Sequence, residues 1–190
     1  DFTNQGSVST QRVMVINADT INNIGGQLSS DIVQLDAQKD VNNTGAQIRA
    51  KDSLYVRAGN DLNVTTTTRS STNSAQTAAQ PEYQPGSRTD IDRVAGLYVD
   101  NQSQGALTLL AGEDINLIAA VVNNAAQDGF TYIDAGNDLN LGTVDTGFSQ
   151  SMVADADNQR HVNVTNEVGT QISAVGDIYT NADNDINIRG

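Results

Sequence analysis

The chain has 190 residues, enough for one domain with its own core, yet only 4% are aromatic and none is tryptophan, which is thin material for a large globular interior. Its net charge of −13 comes mostly from aspartate, with three glutamates and two lysines, a balance that argues against binding a nucleic-acid backbone. The absence of cysteine excludes disulfides and thiol chemistry, and no apolar run approaches the roughly 18 residues of a membrane-spanning helix.

Asn, Asp, Thr, Ser, Gln, Ala and Gly dominate the remainder. A narrow, elongated stack lined by Val, Ile, Leu and Ala needs fewer bulky side chains than a globule does. Disorder is the competing reading of such a polar mix, and the strict alternation described next opposes it.

Residues 1–20 are weakly patterned, with Val13, Val15 and Ile16 suggesting a strand. Asp1-Phe2-Thr3 opens no signal-peptide pattern,. Ile21–Leu28, INNIGGQL, is matched twenty residues on by Val41–Ile48, VNNTGAQI. Val33–Asn43, VQLDAQKDVNN, introduces a second motif that is clearest at Leu54–Val64, LYVRAGNDLNV. There Leu54, Val56, Leu62 and Val64 alternate with polar residues, the period of a strand with one buried face. Ala58-Gly59-Asn60-Asp61 forms the corner between two short strands, where Gly or Asn can take a positive φ without penalty.

The motif returns at Leu107–Leu117, LTLLAGEDINL, and at Thr131–Leu141, TYIDAGNDLNL. The last copy aligns Ile172–Ile188 with Ile48–Val64 at one constant shift of 124 residues, each preceded by Gly-x-Gln, with Asp183 standing where Gly59 stands. The motif alanines are 37, 58, 111, 135 and 182, in steps of 21, 53, 24 and 47. Read as one, two-and-a-half, one and two units of about twenty residues, they predict an all-β solenoid of about eight or nine rungs. No window carries an amphipathic helical stripe.

Two stretches break the rhythm. Thr65–Arg93 holds both prolines, Pro81 and Pro85, and is rich in Ser, Thr, Gln and Ala. We read it as a polar loop over about 66–93, its Thr run able to extend a strand outward and its Ser74–Gly86 section a mobile tip. Rungs resume at Val94–Val99. Val144–Asn166 reads as a hairpin, over about 145–166, turning at Ala156-Asp157-Asn158 and lying on or projecting from the solenoid.

Candidate sites have plain structural alternatives. Asp61, Asp114 and Asp138 recur at one corner position, but the G-G-x-G-x-D repeat at nine-residue spacing that assembles calcium sites is missing. Each carboxylate is therefore expected to accept hydrogen bonds from its own turn amides. Asn63, Asn116, Asn140 and Asn187 share another position and predict a stacked amide ladder. Paired carboxylates of polysaccharide-degrading β-helices could be drawn anywhere in so Asp-rich a chain, and the groove of aromatic and basic residues such enzymes need is missing. His161 is the single histidine and reads as a surface residue in a strand. Asn63-Val64-Thr65 and Asn163-Val164-Thr165 fit the N-glycosylation pattern, which is common by chance in this composition. No catalytic, cofactor-binding or metal-ligating residue is assigned.

At Ala58–Val64, Ala111–Leu117, Ala135–Leu141 and, with Asp for Gly, Ala182–Ile188, the chain resembles the haemagglutinin repeats of filamentous haemagglutinin-type exoproteins. That family includes the contact-dependent growth-inhibition exoproteins of Gram-negative bacteria. The lead-in Val168–Ala174 and the Thr-rich interruption after Val64 are similar to that family too, so the resemblance covers roughly residues 20–190. It implies a right-handed parallel β-helix fibre, exported through an outer-membrane transporter by two-partner secretion, and serving as an adhesin or as a stalk carrying a toxin. Nothing matches the family's N-terminal secretion domain or its C-terminal toxin regions, and the interrupted repeats look like the distal repeat region.

The expectation is thus a single β-helix repeat segment spanning 1–190 of a longer, secreted, cell-surface protein. It is non-enzymatic, binds no nucleic acid, small-molecule substrate or cofactor, and works with a dedicated transporter. A glycan or target-cell receptor touching Thr65–Arg93 or the Val144–Asn166 hairpin is the alternative, and a polysaccharide-degrading enzyme the remoter one.

Overall fold

A computed structural model describes residues 1–73, 86–153, 157 and 159–190, with 152–153 described through their backbone alone. Every element among them is a strand. Parallel strands stack in successive turns into a nearly closed structure, the arrangement a β-solenoid requires.

Each turn runs through three strand segments. In the third turn these are Val41–Thr44 and the two halves of Gln47–Ala58, which kink where the pairing register shifts. The first segments stack from Phe2–Asn4 through Ile21–Ile24, Val41–Thr44, Leu62–Thr65 and Ile115–Ile118 to the start of Leu139–Val153, and end on Ile186–Ile188. The motif alanines are direct partners in adjacent turns, Ala37 with Ala58, Ala58 with Ala111, Ala111 with Ala135 and Ala135 with Ala182, and Ala18 extends the column backwards. The steps of 53 and 47 residues are therefore single turns rather than two or more. The chain makes six full turns and opens a seventh, not eight or nine, because the surplus residues leave the stack altogether.

Period-two alternation becomes continuous aliphatic columns inside. Ile21, Leu62 and Ile115 form one, Leu28, Ile48 and Leu97 a second, and Leu35, Val56, Leu109 and Ile133 a third, all fully buried or within a percent of it. Each such side chain removed from water contributes about 1.5–3 kcal/mol. The corners are bonded along the stack as well. The amides of Val41, Leu62 and Ile115 donate to the Asp61, Asp114 and Asp138 carbonyls of the following turn at 2.9–3.0 Å, so little backbone polarity is left unpaired.

One inward column is polar at one end. Asn4, Asn23 and Asn43 are buried in successive turns, and the position becomes Val64 in the next. Asn4 Nδ2 donates to Asn23 Oδ1 and Asn23 Nδ2 to Asn43 Oδ1, both at 2.8 Å, while Asn43 Nδ2 ends on the Ala46 carbonyl.

The corner glycines have a different reason from the one the sequence suggests. Gly59, Gly112 and Gly136 carry no positive φ. A Cβ at Gly59 would lie 1.9 Å from the Gln38 carbonyl oxygen, one at Gly112 2.0 Å from that of Gly59, and one at Gly136 2.2 Å from that of Gly112. They are there because the preceding turn passes too close for a side chain, and Asp183 likewise occupies its corner without entering the left-handed region. Positive φ occurs at the other corner, at Gly25 and Gly45 and, in the fifth turn, at Ala119.

Thr131 sits in the core between Leu107 and Ile178, its Oγ1 buried with no hydrogen-bond partner. Since an unpaired buried hydroxyl costs about 1–3 kcal/mol, Thr131→Val is expected to raise the urea midpoint, by about 1 kcal/mol in stability. A lowered midpoint would show that the hydroxyl is satisfied in solution.

Candidate functional site

Both interruptions leave the stack at the same corner. The first departs after Thr65 and returns at Ala95, and the second departs after Gly142 and returns at Thr170. Thr67–Asn73 and Gly86–Arg93 pair as an antiparallel hairpin. Residues 143–153 of the long strand pair antiparallel with Gln159–Gly169. The region read as a polar loop is thus mostly two strands, and the predicted hairpin is longer at both ends than 145–166. The tip at 74–85 and most of the expected 156–158 turn lie outside the described residues.

The hairpins are not independent. Gly86–Thr89 pairs antiparallel with Gly147–Gln150, giving one four-stranded sheet that stands on the corner of the fourth and sixth turns. The fifth turn passes between its roots through Ala119, at φ +48°.

Two threonines replace the corner bonds lost where the chain departs. The buried Thr66 Oγ1 donates to the Ala119 carbonyl at 2.6 Å and accepts from the Ala95 amide at 3.0 Å. Thr170 Oγ1 donates to the Leu117 carbonyl at 2.6 Å, lies 3.1 Å from the Gly142 carbonyl and accepts from the Ala120 amide. Arg93, at the root of the first hairpin, reaches back two turns to the Gly25 carbonyl at 2.9 Å.

A hydroxyl-rich hollow of about 310 Å³ lies on the projecting sheet where Gly147 leaves out a side chain, edged by Thr89, Ser149, Asn163 and Thr165. His161 is exposed in the outer strand, its Nδ1 2.9 Å from Ser151 Oγ.

The aspartates and asparagines form two neighbouring columns of the stack, two residues apart in each turn. Asp61, Asp114 and Asp138 fall in one column with Asp40 and Asp185. Each carboxylate accepts from the amide of the next aspartate in the column: Asp40 from Asp61 at 3.4 Å, Asp61 from Asp114, Asp114 from Asp138 and Asp138 from Asp185 at 3.1 Å. The bond reaches the next turn rather than the residue's own turn. Among the described residues no three His, Cys, Asp or Glu side chains converge as metal ligands.

The asparagine ladder forms as expected and is longer. From Asn187 through Asn140, Asn116, Asn63 and Asn42 to Asn22, each Nδ2 donates to the preceding turn's Oδ1 at 2.9–3.0 Å. Asn63, the first glycosylation-pattern asparagine, is therefore bonded on both sides, whereas Asn163 is exposed on the projecting sheet.

The joining of the two interruptions escaped the sequence reading. A signal was present: 67–93 and 143–169 are equal in length, and each follows an apolar-Asn-apolar strand, Leu62-Asn63-Val64 and Leu139-Asn140-Leu141. No protein-family model, no curated protein and no solved structure matches the chain.

Proposed function

We propose that the chain is a right-handed parallel β-helix segment of a bacterial surface exoprotein of the filamentous haemagglutinin type, a non-enzymatic rod that holds adhesive or toxin-carrying regions away from the cell. One observation carries the reading. The asparagine ladder crosses every turn from Asn22 to Asn187 without a break, beside backbone bonds that also run along the stack. Such an element resists extension and bending through its whole length, and it is built from repeats that need only their neighbours. The column aspartates, the obvious acid–base candidates, are committed to backbone amides. The repeated A-G-[NE]-D-[LI]-N-[VL] unit supports the family and, with it, export through an outer-membrane transporter of the two-partner type.

The test is surface labelling of intact cells that make the natural protein, with an antibody raised against this chain. Labelling that disappears when the transporter is deleted is the expected result. Labelling only after permeabilisation, with or without the transporter, would overturn the proposal.

A further inference from the structure

The described aromatic rings lie outside the core. Among the described residues no Phe or Tyr belongs to the buried core, and Phe2 alone packs partly against it. Three rings gather on one flat face of the fifth and sixth turns. Phe130 and Tyr132 point outward from one strand, alternating with the buried Thr131 and Ile133, and Tyr179 is the direct partner of Tyr132 in the next turn. Phe130 is 45% and Tyr179 54% exposed.

The phenols lie along the surface. Tyr132 Oη donates to Asp134 at 3.0 Å and Tyr179 Oη to Asp177 at 3.2 Å. Each acceptor is two residues away on the same strand face, so each ring extends along its strand: Tyr132 leans toward Asp134, and Tyr179 leans the opposite way, toward Asp177, the direct partner of Phe130,. Tyr98, on another face, differs because Arg49 caps its ring at 4.3 Å from the centroid.

Beside Phe130 the chain turns past a hollow of about 530 Å³, lined by Asp52, Asn101, Gln104, Gly105, Ala106, Asp128 and Phe130, within the size range of small-ligand sites. Its polar walls are held in place. Asn101 Nδ2 donates to Asp52 Oδ1 at 2.7 Å, and Asn101 Oδ1 accepts from the Ser103 amide at 2.8 Å. Carboxylates and amides line the hollow and no cationic side chain does.

We propose that this face binds an uncharged, β-linked, gluco-configured glycan, with one sugar in the hollow against Phe130 and the next over Tyr179. The chemistry selects that class. Exposed flat rings next to oriented carboxylates and amides suit a molecule with apolar C–H faces and a rim of hydroxyl donors, and an all-equatorial pyranose presents both. Neighbouring turns are about 4.8 Å apart, and the lean of Tyr179 toward Asp177, the partner of Phe130, brings its ring beside Phe130. Asp52, Asp128, Asp134 and Asp177 repel sulfated or uronic glycans. The site goes beyond the rod reading and stands whether or not the protein is a surface fibre.

The experiment is calorimetric titration of the whole chain with cellohexaose, N-acetylated chitohexaose and a hyaluronan hexasaccharide. At least one neutral oligomer is expected to bind and hyaluronan to be rejected. Phe130→Ala and Tyr179→Ala weaken binding by about tenfold or more, with unchanged unfolding midpoints. Tyr98→Ala leaves it within about twofold. Ring ¹H–¹³C shifts of the unmodified protein provide a readout that needs no variant: Phe130 and Tyr179 move together on titration and Tyr98 does not. Silence toward both neutral oligomers at millimolar concentration, unweakened binding by the two alanine variants, or equal affinity for hyaluronan would overturn the proposal.

Discussion

Asn23→Ala is expected to destabilise the fold by about 3 kcal/mol, against about 1 kcal/mol or less for Asn116→Ala. Both residues are links in asparagine ladders, and the difference lies in what surrounds them. Asn23 is buried at 1% exposure between Asn4 and Asn43. Its loss opens a cavity and removes the donor to Asn43 Oδ1 and the acceptor of Asn4 Nδ2, in a place water does not reach. Asn116 bonds to Asn63 and Asn140 on the half-exposed outer edge, where water replaces the lost amide. Urea denaturation read by circular dichroism gives the two values, and amide exchange places the first loss in the opening three turns. Equal losses would mean that ladder bonds carry one energy wherever they stand.

Gly112→Ala is the second large effect, about 3 kcal/mol, for the addition of one methyl group. The new Cβ would meet the Gly59 carbonyl oxygen at 2.0 Å, and that oxygen cannot swing aside as a side chain would. Gly112 is also the carbonyl against which Gly136 packs, so displacement passes to the next turn. Gly86→Ala provides the contrast. Its nearest neighbour is the Ser149 carbonyl at 3.5 Å and its φ is not in the left-handed region, so it is expected to be neutral, or stabilising by a few tenths of a kcal/mol through the unfolded chain. Matching urea midpoints for the two variants would remove close approach as the reason for glycine at this corner.

Much of the fold was legible because stacked parallel turns repeat their instructions. Alternation in Leu54–Val64 identified the buried face, and the 124-residue shift matched positions exactly three turns apart, Ile48 and Ile172 sharing a column through Leu97 and Val122. The turn count was not legible, since spacing along the chain does not say whether residues between two alanines stay in the stack. Nor could the joining of Gly86–Thr89 to Gly147–Gln150 be read from local pattern, because pairing between distant polar strands leaves no periodic mark in either. The aspartates accept from backbone amides as expected, but which amides could not be read for a related reason: the partner of Asp61 is Asp114 in the next turn, not its sequence neighbours. The outward rings were visible as Phe130, Tyr132 and Tyr179, but their gathering on one face depends on which strands become neighbours.

In a stack whose units touch only the units beside them, turns can open one at a time from either end. The projecting sheet alters that rule in the middle. Its two halves are rooted in the fourth and sixth turns and zipped along Gly86–Thr89 and Gly147–Gln150, so neither turn can leave without breaking bonds that belong to the other, and the fifth is enclosed between them. An opening front from the first turn passes the third and meets a block of three turns that must open together. Under load the protein is then a chain of single links with one shackle: the single turns yield first, and the shackled block is the last to give way.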